Sequence, residues 1–125
     1  MSAGCLTVTF PPPGKLLSMN DRMHWRPKAK LVARWVHAAQ VAGRSARVKA
    51  RWEPVPVTIS VTLPVRDARR RDPHNYFATI KPVVDGLVLA GIVPDDNSEW
   101  VTTTEPVLHV GGRDVVVLIT PRAAQ

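Results

Sequence analysis

Side chains suited to phosphate and metal chemistry are concentrated in the block from Arg69 to Asp96. Asp72 and His74 are two residues apart, and Lys81 precedes Asp85 by four residues, a spacing that places both on one helix face. Carboxylate oxygens suit Mg²⁺ or Mn²⁺, and neutral imidazole is a ligand for Mn²⁺. The block therefore predicts a metal-assisted reaction with four candidate catalytic residues, Asp72, His74, Lys81 and Asp96. To hold a metal ion, two or three oxygen ligands, such as the carboxylates of Asp72, Asp95 and Asp96, would have to converge on one point.

A bound divalent ion activates water and neutralises charge on a phosphate, and Lys81 would be a natural partner for the phosphate or the water. Arg69, Arg70 and Arg71 could hold flanking phosphates through paired hydrogen bonds. The two ends of a helix that crosses a sheet are too far apart to share one site. We therefore expect the segment 92–96 to fold back toward the start of the helix that precedes it.

Each of these residues also has an ordinary structural interpretation. Asp72-Pro73 is typical of a turn, and Asn75 of a helix cap. Lys81 and Asp85 could form a surface ion pair, and the polar run after Pro94 could be a simple turn. His74 could be a solvated loop residue.

The charge distribution favours a polyanionic partner. The chain carries 17 Lys and Arg against 10 Asp and Glu, a net charge of +7 and a pI of about 10.5. Nine basic residues and no acid lie between Arg22 and Trp52. Fixed cations of this kind displace counterions from nucleic-acid phosphates. The candidate DNA-binding residues are Arg22, Arg26, Lys28, Lys30, Arg34, Arg69, Arg70 and Arg71.

Two helices are predicted to position these residues. Apolar residues spaced three and four apart indicate a helix over 28–42, which Gly43 would end. A second helical pattern begins at Asn75 and ends at Gly91. Pro82 leaves two alternatives, because the helix either begins at this proline or is longer and kinks there.

Alternating β-branched residues predict strands over 6–10, 55–64, 100–110 and 114–120. Gly111-Gly112 indicates a hairpin between the last two. The order β-α-β-α-β-β predicts a single α+β domain over residues 1–125, with a mixed or antiparallel sheet covered by two helices.

Composition narrows the cellular setting. No apolar run reaches the roughly 18–20 residues that a membrane helix requires. The first ten residues lack the pattern of a secretory signal, and Cys5 is the single cysteine, so we expect a cytoplasmic protein without disulfides.

The motifs of this chain resemble those of the RusA-type Holliday junction resolvases. That family combines an arginine-rich run, D-x-D-N, K-x-x-x-D-A/G-L and A-G-x-x-x-D-D. Here the matching residues are Arg71-Asp72-x-x-Asn75, Lys81 through Leu87, and Ala90-Gly91 through Asp96. The stretch 17–25 (LSMNDRMHW) is similar to the family's S-x-N-x-R-x-H/W region.

The resemblance implies paired hydrolysis of phosphodiesters at a four-way DNA junction by a Mg²⁺- or Mn²⁺-dependent homodimer. It assigns Asp72 and Asp96 to metal-binding catalysis and Lys81 to the catalytic lysine, whereas the roles of Asp85 and Asp95 are less settled. Two departures stand out. His74 replaces the second aspartate of D-x-D, and the stretch from Asn75 to Lys81 is about three residues longer than in shorter members. We expect His74 to ligate the metal or contact the water.

Three other functions agree with the same residues. The first is a branched-DNA-binding protein whose cleavage is weakened or lost through His74. The second is a metal nuclease acting on flaps or RNA, and the third is a basic scaffold without catalysis. Cleavage of a four-way junction with a divalent metal, as against simple retention, separates the first from the resolvase. Comparison of substrates of equal length separates the second. The third predicts that Asp72→Asn and Asp96→Asn change nothing.

Overall fold

The computed structural model describes residues 4–122 and contains five strands, two helices and one 3-10 helix. The elements in chain order are β1 Leu6–Phe10, α1 Trp25–Ala50, β2 Val57–Val65, the 3-10 helix Pro73–Tyr76, α2 Phe77–Leu89, β3 Val101–Thr103, β4 Val107–Val110 and β5 Val115–Pro121. All five strands belong to one sheet. The predicted α+β class is confirmed. The first and last three residues of the predicted domain, 1–125, lie outside the described residues.

The sheet is mixed, and β2 is its central strand. β5 pairs antiparallel with both β1 and β2. β3 and β4 pair in parallel with successive parts of β2, at Val57–Ile59 and Thr62–Val65. The single strand predicted over 100–110 is therefore interrupted at 104–106, where Pro106 has no backbone N–H to donate.

The predicted hairpin at Gly111-Gly112 is wrong. β4 and β5 lie on opposite sides of β2, so the chain passes across the end of β2 between them. Gly111 has a φ of +77°, a backbone conformation that residues other than glycine rarely adopt. The glycine pair therefore marks a change of direction, but its strands pair with β2 rather than with each other.

Helix α1 is longer than predicted, and Gly43 does not end it. Gly43 is buried inside α1, where a Cβ atom would lie 3.0 Å from Leu87 Cδ2 and 3.1 Å from Ala90 Cβ. The residue is small because α2 approaches closely at this point. The helix instead ends at Arg51, which adopts a left-handed conformation with a φ of 52°.

Of the two alternatives at Pro82, the longer helix is the one observed. Helix α2 does not begin at Pro82, because this proline lies inside the helix and is buried. Gly91, with a φ of +86°, follows the end of α2 as predicted.

The core lies between the two helices and one face of the sheet. Alternate residues of β1 and of residues 115–119 in β5 are buried, and the residues between them are exposed. The inner face of α1 contributes Leu31, Trp35 and Ala39, and α2 contributes Val83 and Leu87. No helix within residues 4–122 combines the length and the apolar character needed to cross a membrane.

Candidate functional site

Lys81, Asp85 and Asp96 form one hydrogen-bonded group, here named the Lys81 cluster. Lys81 Nζ donates to Asp85 Oδ1 over 2.9 Å and to Asp96 Oδ2 over 2.6 Å. The Lys81 side chain remains 66% exposed, so the cluster is accessible from solvent. The ordinary surface pair between Lys81 and Asp85 is present, and it is extended by a carboxylate fifteen residues away in the chain.

A tight reversal after α2 brings Asp96 back to the helix. The Gly91 N–H donates to Val88 O over 3.0 Å, and the Ile92 N–H donates to Leu87 O over 3.1 Å. Ile92 and Val93 are then buried in the core, and Trp52 Nε1 donates to Ile92 O over 2.8 Å. The segment therefore folds back along α2 as predicted, as far as Lys81, and it does so through a turn without a strand.

Asp95 shapes the turn that presents Asp96. Its Oδ1 accepts from the Asp96 N–H over 2.7 Å, and its Oδ2 accepts from Asn97 Nδ2 over 3.0 Å. Both carboxylate oxygens are therefore occupied by donors within the turn. Asp95 holds the direction of Asp96 in this conformation.

Arg122 fixes the same turn from the end of β5. Its guanidinium donates to Ser98 O over 3.1 Å, to Thr102 Oγ1 over 3.0 Å and to Glu99 O. Sequence reasoning missed this residue. The chain around it carries no motif, and two of its three acceptors are backbone carbonyls that any residue could supply.

Asp72 and His74 lie at the short 3-10 helix that precedes α2. Asp72 Oδ1 accepts from the His74 N–H over 3.1 Å, so Asp72 caps this helix. The His74 ring packs edge-on against Phe77, with ring centroids 5.2 Å apart. Among residues 4–122, no hydrogen bond or ion pair joins either side chain to the Lys81 cluster.

Asn75, which the sequence suggested as a helix cap, does not cap α2. Asn75 lies inside the 3-10 helix, and Tyr76 occupies the cap position of α2 without a side-chain hydrogen bond. The Asn75 carbonyl accepts from the Met19 N–H over 2.9 Å. Asn75 therefore joins the loop before α1 to the start of α2 and does not cap that helix.

The donor set near Lys81 fits a hard divalent cation in part. Two carboxylates converge on one positive charge, and oxygen donors of this kind suit Mg²⁺. Residues 4–122 contain no group of three or more His, Cys, Asp or Glu side chains that could hold a metal ion. One or two carboxylates suffice for Mg²⁺ where substrate phosphates supply further ligands. Asp85 and Asp96 would therefore suffice for such an ion only where a phosphate completed its ligands.

The ion pair between Lys81 and Asp96 favours the charged form of each side chain. The hydrogen bond from Lys81 and its positive charge lower the pKa of Asp96 below the usual value of 3.8. The hydrogen bonds to Asp96 and then to Asp85 raise the pKa of Lys81 above its usual 10.5. Lys81 is therefore an ammonium group near neutral pH. It can stabilise negative charge on a phosphate, and it cannot act as a general base in that state.

The predicted DNA-binding side chains divide into two groups. Arg22, Arg26, Lys28, Lys30, Arg34, Arg69 and Arg70 are exposed, as an interface with phosphates requires. The Arg71 side chain is only 11% exposed, and it donates to Asp67 O over 2.7 Å and to Asp67 Oδ1 over 3.0 Å. In this conformation Arg71 closes the 67–71 loop, a role that the sequence did not indicate.

A polar cavity of about 380 Å³ lies beside Asp72. Its wall is formed by the loop before α1, by three consecutive arginines and by the 3-10 helix with its cap. The residues are Ser18 and Asn20, then Arg69, Arg70 and Arg71, then Asp72, Asn75 and Tyr76. The cavity therefore joins the start of α2 to the loop that leads into α1.

The Asp67–Arg71 contact predicts a measurable pKa. The Arg69 N–H lowers the pKa of Asp67, and the Arg71 hydrogen bond and charge lower it further. Because the folded-state pKa is below the usual 3.8, the contact stabilises the loop above that pH and is lost as the pH falls through the lowered value. Carboxyl-detected NMR titration should give a pKa for Asp67 below 3.8.

In Arg71→Ala this pKa should rise but stay below the usual value, because the Arg69 N–H remains. Arg70→Ala, which removes no contact to Asp67, is the control. An unchanged Asp67 pKa in Arg71→Ala would contradict the contact.

Comparison with known proteins adds no assignment: no protein-family model matches the sequence, and no curated protein matches it either.

Proposed function

We propose that this protein is a metal-dependent endodeoxyribonuclease that resolves four-way DNA junctions by paired, symmetric hydrolysis of phosphodiesters. The observation that carries the proposal is the return of Asp96 to Lys81 across the turn after α2. The exposed Lys81 ammonium offers a cation for the phosphate, and Asp96 beside it offers an oxygen ligand for a metal, the two partners that phosphodiester hydrolysis needs.

In this proposal Asp72 and Asp96 would supply carboxylate ligands to a Mg²⁺ or Mn²⁺ ion, with Asp96 held beside Lys81 and Asp72 at the start of the 3-10 helix. The ion, when bound, lowers the pKa of its bound water and neutralises charge on the phosphate. The Lys81 ammonium exchanges one carboxylate partner for the phosphate and stabilises the charge that develops there. Asp95 and Arg122 keep the turn that carries Asp96 in place.

The exposed basic residues of α1 and of the 69–70 segment bind the arms of the junction through backbone phosphates. Two symmetric cuts require two sites, so the active form in this proposal is a homodimer. A DNA substrate fits a cytoplasmic location in this proposal.

A direct test is incubation of the wild-type protein with end-labelled four-way junctions, with EDTA, Mg²⁺ or Mn²⁺. We expect paired nicks at symmetric positions in opposite strands, present with the metal and absent with EDTA. Linear duplex, 5′-flap and RNA duplex of equal length are the comparison substrates. Equal cleavage of a flap or of RNA would favour a different nuclease. A junction that is retained but never nicked would contradict the proposal.

A second candidate function is binding of branched DNA without efficient cleavage. It is favoured by the position of His74, whose ring packs on Phe77 in the place where the resemblance expects an aspartate. His74→Asp would then gain metal-dependent nicking that the wild type lacks. If the wild type cleaves and His74→Ala cleaves equally well, His74 is not a metal ligand.

A further inference from the structure

Trp25, the first residue of α1, differs from the other tryptophans in its exposure. Its side chain is 66% exposed, whereas Trp35 and Trp52 are buried at 0% and 9% and Trp100 is half-buried. A tryptophan ring gains more from burial than almost any other side chain. The exposed ring of Trp25 therefore leaves a large apolar area available for a contact with a partner.

The ring is held in place by its two neighbours in the chain. The His24 ring stacks on it with centroids 5.9 Å apart and an angle of 29° between the planes. The Arg26 guanidinium lies 5.1 Å from the ring centroid, within the range of a cation–π contact. Trp25 is still 66% exposed, so part of its aromatic surface remains accessible beside His24 and Arg26.

Charge around Trp25 favours a nucleic acid as the partner. Arg22, Arg26, Lys28 and Lys30 are exposed on either side of it, and no acid occurs between Arg22 and Trp52. Proteins that bind single-stranded or unpaired nucleotides combine such a positive surface with aromatic rings on which bases stack. Among residues 4–122 these four cations form no salt bridge, and burying them against a hydrophobic protein partner would be costly.

The loop before α1 connects Trp25 to the candidate site. The Thr79 hydroxyl bonds to both the N–H and the carbonyl of Leu17, over 2.8 and 2.7 Å, which ties the loop to α2. Asn20 lines the cavity beside Asp72. Five residues span at most about 18 Å, so Trp25 lies within about five nucleotides of a phosphate held at Asn20.

We propose that Trp25 is a stacking platform for a nucleobase that is unpaired at the branch point of the DNA. The choice of DNA rests on the proposed function, and the stacking itself does not depend on cleavage. A paired base in a linear duplex is already stacked and inaccessible, whereas a branch point offers a free base face. Trp25 therefore contributes discrimination between branched and linear DNA.

The test uses four-way junctions that carry 2-aminopurine at the branch point, bound in EDTA so that no strand is cut. We expect the wild type to change the 2-aminopurine fluorescence on binding. Trp25→Leu should lose this change and bind the junction about 5- to 100-fold more weakly, because stacking contributes that much per base. Trp25→Phe should retain most of both effects. Affinity for a linear duplex should change less than about twofold in all variants.

Val48→Ala is the matched control, because Val48 is also on α1 and is 65% exposed. Thermal melting checks that the variants fold. The inference is overturned if Trp25→Leu binds the junction as the wild type does, or weakens on junction and duplex alike. It is also overturned if Trp25→Leu changes the oligomeric state in sedimentation without DNA, because Trp25 would then contact a second copy of the chain.

Cleavage is measured separately with Mg²⁺ or Mn²⁺, so the two proposals fail independently. Nicking without any fluorescence response would refute stacking and leave the nuclease proposal standing. A fluorescence response that depends on Trp25, without nicking in either metal, would refute the nuclease proposal and support stacking.

Discussion

Replacing Asp96 with asparagine is expected to reduce cleavage of a four-way junction by about 100-fold or more while binding stays equal or becomes tighter. Asparagine keeps the shape of the side chain and removes the negative charge. The hydrogen bond from Lys81 Nζ to Asp85 Oδ1, 2.9 Å in the wild type, is not removed, so the cluster should persist in part. Loss of a negative charge near the phosphate favours binding, whereas loss of a metal ligand opposes hydrolysis.

Single-turnover nicking rates and binding isotherms on the same junction measure the two effects. Asp114→Asn, an equal change at an exposed position just before β5, is the control and should alter neither. Asp85→Asn removes the other carboxylate that holds Lys81 and leaves Asp96 intact. It therefore separates the positioning of Lys81 from the contribution of Asp96 to hydrolysis. If Asp96→Asn nicks the junction within a factor of two of the wild type, Asp96 has only a structural role as the partner of Lys81.

Replacing Gly86 with alanine is expected to destabilise the fold by about 2–3 kcal/mol. Gly86 lies where α2 crosses α1, and a Cβ atom there would collide with Val36 O and lie 2.7 Å from Ala39 Cβ and 2.9 Å from Gln40 N. Two of these atoms belong to the backbone, which cannot rotate away as a side chain can. The helices would have to separate, and this cost exceeds the roughly 1 kcal/mol by which alanine favours a helix over glycine.

Chemical denaturation and thermal melting measure this loss, which corresponds to a decrease in Tm of roughly 10 °C. Gly43→Ala should cost less, because its nearest neighbour is the flexible end of Leu87 at 3.0 Å. Gly4→Ala, with no heavy atom within 4 Å of the added Cβ, is the neutral control. A Gly86→Ala protein as stable as the wild type would refute the close crossing of the two helices.

The alternation of side chains along a strand and the glycine after a helix depend on neighbouring residues only, and both were predicted from the sequence. The alternation in residues 6–10 predicted β1 with its observed bounds, and Gly91 was identified as the end of α2. Gly43 misled the prediction, because a buried glycine that admits a second helix has the same sequence appearance as a helix cap. Only the packing of α2 against α1 distinguishes the two.

The pairing of the last strands was not predictable for a related reason. Gly111-Gly112 permits a reversal, but the choice of partner strand depends on β2, more than forty residues earlier in the chain. In the candidate site, the return of residues 92–96 toward the preceding helix was expected from the requirement that the chemistry converge, but the contact of Asp96 with Lys81 was not specified. The contacts of Arg71 and Arg122 were not expected, because their acceptors are mostly backbone carbonyls that leave no trace in residue type.

The register of the sheet also constrains the order in which the protein can fold. Leu6 pairs with Ile119, and Phe10 with Val115, so β1 finds its partner only at the far end of the chain. A nascent chain that has not yet reached Val115 has both helices and β2 but no strand beside β1. Contacts between residues so distant in sequence slow folding, because a long loop must be ordered before any of them forms. Completion of the sheet is therefore a late event, after the helices and β2 have left the ribosome.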